Sequence, residues 1–136
     1  MSRFLGRYAD AFYALLRFVA GFVFMFHGLQ KIFGAFPDPS MPMQAPAVGS
    51  LLWFGGMIEL VAGILILLGL LASWAAFLAS GEMAVAYFMV HQPGGTWPIQ
   101  NHGELAVLYC FVFLYIAARG SGPFSVASAL KNPALD

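Results

Sequence analysis

The sequence predicts an all-α fold: an integral membrane four-helix bundle of up-down topology with both termini cytoplasmic. Three observations carry that prediction. First, 61% of the 136 residues are hydrophobic and only 9% are charged. An average soluble domain is about 25% charged, so this composition could not cover a water-exposed surface. Second, the apolar residues fall into four blocks, about 10–33, 49–71, 72–90 and 103–118, against the roughly 20 helical residues needed to cross the hydrocarbon core. Third, Arg3 and Arg7 precede the first block and Arg119 and Lys131 follow the last, while the loops hold no Lys or Arg apart from Lys31 at the end of the first block. Lys/Arg-rich ends stay on the cytoplasmic side. The length suits one domain, residues 1–136.

In the first block, Arg3 and Arg7 give a positive start to the apolar stretch Ala11–Phe26. That stretch continues into His27-Gly28-Leu29-Gln30-Lys31 rather than into a small-residue cleavage site, so it reads as a retained span and not as a secretory signal. The link Gly34–Val48 carries Pro37, Pro39, Pro42 and Pro46, which rule out a regular helix. The second and third blocks are barely separated. As one helix, the 40 residues of Leu51–Val90 would span about 60 Å, twice the core thickness. The chain is therefore expected to turn tightly around Gly69–Ser73, with a kinked single helix as the alternative. The next link, HQPGGTWPIQNH from His91 to His102, is broken by glycine and proline. The fourth block is short and crosses only if Glu104 and Arg119 lie near the two interfaces.

Arg17, His27, Glu59 and Glu82 fall inside these spans. An ionisable group at mid-membrane costs about 2.5–3.5 kcal/mol on insertion scales and so normally faces protein or water. Helix rise places Glu59 about 12–15 Å below the outer end of its span, Glu82 about 13 Å and His27 about 9 Å; Arg17 is nearer the inner face. Gly55, Glu59 and Gly63, flanked by Gly56 and Ala62, make one small-residue stripe; Ala75, Ala79, Glu82 and Ala86 make another. Such stripes mark packed faces of membrane helices. His27 and Lys31 share a face at i, i+4. The expected site is a polar cavity open to the outside, with the His91–His102 loop as its lid. Glu59, Glu82 and His27 are its candidate catalytic residues. Lys31, His91, Asn101, His102, Glu104 and Trp97 are its candidate cofactor-binding residues. Trp97 and Trp53 also suit the outer interface.

Plainer roles stand beside these. Glu59 and Glu82 could be hydrogen-bonded packing residues, Arg17 could pair with either glutamate or snorkel inward, and Lys31 could snorkel to head groups. Glu104 could simply open the last helix, with Asn101 or His102 as its cap, and His91 could simply end the third. Net charge is zero, so no nucleic-acid footprint exists. The single cysteine, Cys110, cannot form an intrachain disulfide or a CxxC site and reads as apolar filler. No Glu-x-x-His pair and no HExxH occur, so no metal site is assigned; a mononuclear His27/His91/His102 site is the minor alternative.

From Leu16 to Ser125 the order of motifs resembles the DoxX family of small bacterial membrane proteins. The matching pieces are Leu16-Arg17, Gly21, Phe26-His27-Gly28, Lys31, Phe33-Gly34, Glu59 with Gly63 and Gly69, Glu82-Met83, Ala86, His91, Asn101 and Gly103-Glu104-Leu105. The ending Gly120-x-Gly122-Pro123-Phe124-Ser125 also matches, but continues into Val126-Ala127 where the family usually has Leu-Asp. The resemblance implies a four-helix inner-membrane protein, and relatives associated with thiosulfate:quinone oxidoreduction or with thiol and oxidative-stress partners. It supplies no settled catalytic set.

Three functions follow from these readings. One is a subunit of a quinone-linked oxidoreductase, the cavity holding a quinone head group with His and buried Glu handling the accompanying protons. With no haem motif and a lone Cys, such a subunit needs a redox partner protein. The second is a carrier or binding protein for a proton or small solute, which at this size requires a homo-oligomer for a gated path. The third is a scaffold subunit of a membrane complex, although interhelical hydrogen bonds average only about 0.6 kcal/mol, weak justification for two buried carboxylates.

Overall fold

The computed structural model describes residues 2–37 and 45–136, so Pro39 and Pro42 of the proline-rich link lie outside the described residues. Among the described residues all regular structure is helical. Four longer helices, α1 (Ala9–Phe33), α2 (Leu51–Leu68), α3 (Ala72–Ala86) and α4 (Glu104–Arg119), are joined by single turns and loops. Three stretches are long and apolar enough to cross a membrane: Gly6–Phe33, Leu51–Leu68 and Ala72–Gly94. The 16 residues of α4 rise about 24 Å, short of a core about 30 Å thick.

Local chemistry sets the ends. Gly34 closes α1 in the left-handed region, its N–H bonding back to Gln30 and Leu29 carbonyls. Ser50 caps α2, its Oγ accepting from Trp53 N at 3.2 Å. Gly69, at φ +65°, stops α2, and the chain reverses through Leu70 and Leu71 into α3. Gly69 has two reasons to lack a side chain: its φ, and the fact that a Cβ there would sit 2.5 Å from Ser125 Cβ and 2.7 Å from Arg17 Nη1. α3 runs on into a wider π-type turn over Tyr87–His91.

Helix α1 packs on α2, α2 on α3 and α3 on α4. An aromatic cluster closes α1 against α4: Phe24 lies 4.6 Å from Phe113 and 5.4 Å from Tyr109 between ring centroids, and Phe24, Phe113, Ile66 and Ile116 are fully buried. Small residues line the other contacts. Ala75 and Ala79 of the expected α3 stripe are buried, and so are Ala72, Ala76, Ser80 and Met83. Ser80 faces α4, donating to the Cys110 carbonyl at 2.8 Å. Cys110 itself is half-buried. The periphery is large and apolar, with Trp74, Phe77, Phe88 and Phe111 each mostly exposed, as a lipid-facing surface requires.

Both described chain ends meet at one end of the helices. Arg119 pairs with Asp10 and lies over the Tyr13 ring, while Tyr13 donates to the Gly120 carbonyl. The C-terminal segment folds back beneath the α2–α3 turn: Ala127 N bonds Gly69 O at 3.1 Å and Leu71 N bonds Leu135 O at 2.7 Å. Arg17 holds this cap. It is 2% exposed, and donates to the carbonyls of Ile66, of Leu67 at 2.8 Å and of Phe124 at 2.7 Å. This corrects the sequence expectation that Arg17 pairs with Glu59 or Glu82 or snorkels. The last carbonyls of a helix lack intrahelical donors, and Arg17 lies at their level, whereas the glutamates lie toward the other end.

Candidate functional site

Glu59 sits in the middle of α2, eight residues from its start, about 12 Å along the axis. It is 2% exposed because its face of α2, with Gly56, Ala62, Gly63 and Ile66, is the buried one. Lys31, in the last turn of α1, meets it: Nζ donates to Oε1 at 2.6 Å. Lys31 therefore turns inward to an ion pair rather than outward to head groups. Its side chain is 19% exposed against 3% for that of Glu59.

Glu82 reaches the same level from α3. A Cβ on Gly55 would lie 3.3 Å from Glu82 Oε1, so Gly55 provides the space into which the carboxylate fits. Glu82 is close enough to Glu59 and to Lys31 to interact electrostatically with both. His27 lies within electrostatic reach of Glu59, as does the buried phenol of Tyr109 on α4. Tyr109 and Gly55 join the site only in three dimensions. Gly55 belonged to a visible stripe, but nothing in the sequence singled out Tyr109 among the aromatics.

The cluster is under-bonded. Glu59 Oε2 and Glu82 Oε2 are both buried and neither has a hydrogen-bond partner. Two carboxylates share one ammonium. Among the described residues no group of three His, Cys, Asp or Glu is placed to hold a metal ion.

The loop forms a separate, smaller network. Asn101 is buried and acts as its hub. Its Oδ1 accepts from Gly103 N at 2.8 Å, its Nδ2 donates to Gly95 O at 2.9 Å and more weakly to Tyr87 Oη at 3.5 Å, and its carbonyl is 3.2 Å from His91 Nδ1. Gly103 packs against the Tyr87 ring so closely that a Cβ would come within 2.8 Å of it. His91 and Asn101 are thus brought together, while His102, Glu104 and Trp97 are exposed and touch neither glutamate through any hydrogen bond or ion pair seen here. His102 follows the single turn Pro98–Asn101 at φ +57°, and Glu104 opens α4 after Gly103. Asn101→Ala would leave the Gly95 carbonyl without its side-chain donor and the Gly103 N–H with only its 3.1 Å bond to the Pro98 carbonyl. We expect a loss of about 1–3 kcal/mol, read as a lower thermal midpoint in detergent, with the helical content of the folded protein unchanged.

Among the described residues, the surface concavities include two on the flanks of the bundle. One, of about 210 Å³, is an apolar crevice between α2 and α3 lined by Phe54, Met57, Ile58, Val61, Leu65 and Leu78, with Ala62 and Ala75. Neither glutamate lines it; Glu82 follows the lining residue Leu78 by one turn on α3. The other, of about 550 Å³, lies at the Arg17 end.

Comparison with known proteins gives consistent results. The DoxX family model matches residues 12–92, which include Arg17, Lys31, Glu59, Glu82 and His91. An uncharacterized protein of Haemophilus influenzae is 45% identical over 132 residues, covering 94% of each chain. No solved structure matches.

Proposed function

This chain belongs to the DoxX family, and from that premise we propose that it is a multi-pass protein of the bacterial inner membrane that handles protons at the Lys31–Glu59–Glu82 cluster. The observation that carries the proposal is the pair of buried, partnerless oxygens, Glu59 Oε2 and Glu82 Oε2, beside a single ammonium. With one cation for two carboxylates, the cluster is neutral only when it holds one further proton. Ionisable groups buried within membrane spans are usually functional. Tyr109 and His27 supply further proton-bearing groups at its edge. In this reading α4 joins α1–α3 as the fourth helix of the bundle, and the end bearing Arg3, Arg7, Arg119 and Lys131 faces the cytoplasm. The loop centred on Asn101 then covers the outer end.

The apolar crevice favours a quinone-linked form of this role. Phe54, Ile58 and Leu78 would hold a quinone ring entering from the lipid between α2 and α3, and Glu82 lies one helical turn beyond Leu78. The residues fit such a ring from the lipid side, and a quinone there would supply carbonyl and hydroxyl oxygens that exchange protons. Glu82 is the group that holds or accepts the proton. Electrons would pass to or from a separate redox partner, since this chain has one cysteine and no cofactor motif.

Infrared spectroscopy of the protein in nanodiscs across the neutral pH range tests the proton site. A protonated-carboxyl band that disappears in Glu82→Gln is expected; its absence from the folded wild-type protein at every pH would overturn the proposal. Organic extraction of natively purified protein tests the second part. Stoichiometric quinone that falls in Glu82→Gln supports the quinone-linked form, and a quinone-free protein with the infrared band intact leaves proton carriage alone.

A further inference from the structure

At the end carrying both termini, α1, the last turn of α2 and the C-terminal segment enclose the open groove of about 550 Å³. Its walls are apolar, with Leu15, Phe18, Leu68 and Val126 prominent, and the one charged side chain lining it is Arg17. Arg17 has three carbonyl acceptors, yet its Nε is buried with no hydrogen-bond partner. Among the described residues no carboxylate pairs with it; the ion pairs seen are Lys31–Glu59 and Arg119–Asp10. The carbonyls that end α2 offer about half a negative charge, which leaves Arg17 under-compensated. The surroundings add to the excess. Arg7, Arg119 and Lys131 lie at this end against Asp10 and Asp136, and Asp10 is already engaged by Arg119. An apolar channel that opens to the lipid and has an under-compensated arginine at its floor is complementary to an amphiphile with a negative head.

We propose that this groove binds one anionic phospholipid of the surrounding bilayer, with an acyl chain lying along Leu15, Phe18 and Leu68 and the head-group phosphate drawn to Arg17. The site is separate from the Lys31–Glu59–Glu82 cluster and lies at the opposite end of the helices. Basic residues near a membrane surface favour anionic lipids by about fivefold each, so a preference of at least about that size is expected from Arg17 alone.

Native mass spectrometry of the protein in neutral detergent with equimolar phosphatidylglycerol and phosphatidylcholine reads the preference directly. One bound phosphatidylglycerol is expected, in about fivefold excess over phosphatidylcholine. Ala14→Phe and, separately, Ala129→Phe fill the groove from opposite walls and leave every charge in place; each is expected to abolish the preference in a folded monomer. Having two variants guards against one that fails to fold. Glycerol 3-phosphate should not displace the lipid. Equal occupancy by the two lipids, a preference that survives both substitutions, or displacement by glycerol 3-phosphate would overturn the proposal; the last would mark a free-phosphate site instead.

Discussion

Gly28→Leu is expected to leave no folded protein in detergent. Helices α1 and α2 approach through glycines spaced seven apart, Gly21 and Gly28 on one and Gly56 and Gly63 on the other. A Cβ at Gly28 would collide with Leu60 N and Gly56 O; one at Gly21 would fall 2.5 Å from Leu67 N, and one at Gly63 would fall 2.7 Å from Met25 N. These are backbone atoms on rigid helices and cannot rotate aside as a side chain could. In a membrane, where lipid is as apolar as leucine, such close packing is itself what holds helices together. Overpacking a core by a methylene or two typically costs about 1–3 kcal/mol; a leucine against backbone lies at or beyond the upper end of that range. The effect reaches the site, because moving α2 off α1 also draws Glu59 from Lys31. Gly81→Ala is the matched control: it too lies in a membrane helix, but nothing lies within 4 Å of its added Cβ, so no loss is expected. Size-exclusion profiles and thermal midpoints of the two variants separate the readings. A monodisperse Gly28→Leu protein with the wild-type midpoint would show that this contact is not what holds α1 to α2.

The parts legible in the sequence were those set by local pattern. Apolar run length located the helices, and the excess over one span between Leu51 and Val90 demanded a reversal, which falls at Gly69–Leu71. Helix rise alone put Glu59 and Glu82 at one depth, and the small residues around Glu59 marked its buried face. The unread parts depend on backbone groups distant in sequence. Arg17 resembled any intramembrane cation until the free carbonyls at the end of α2 and at Phe124 were placed beside it. Lys31 looked free to reach head groups because its register against Glu59 is set by the Gly28–Gly56 contact. Gly21 and Gly28 were visible as motif positions, but the seven-residue spacing gained its meaning only opposite Gly56 and Gly63. The loop expected to be one lid over one cavity divides instead: Asn101 and His91 turn inward to the backbone, and His102, Glu104 and Trp97 face outward.

Lys31→Met should be the most damaging single change at the site itself. It strands Glu59 beside Glu82 with no cation, and removing one partner of a buried ion pair costs about 3–5 kcal/mol. Glu59→Gln should cost less, since the lysine left behind is partly exposed and its long stem lets the ammonium move toward the interface. The double variant Lys31→Met/Glu59→Gln removes both charges together, and a buried pair replaced as a unit is often close to neutral. The expected order of thermal midpoints is therefore wild type and double variant highest, Glu59→Gln between, and Lys31→Met lowest. The cycle yields a coupling energy, which for residues in direct contact runs to about 0.5–3 kcal/mol. Additive losses would mean that the 2.6 Å contact contributes no energy and that Lys31 spends its time at the head groups. Strong coupling would tie the charge of the cluster to the packing of α1 on α2. The same ammonium would then hold the two helices in register and set the charge that the carboxylate pair must balance, so a change in the proton held there would be felt directly at the helix interface.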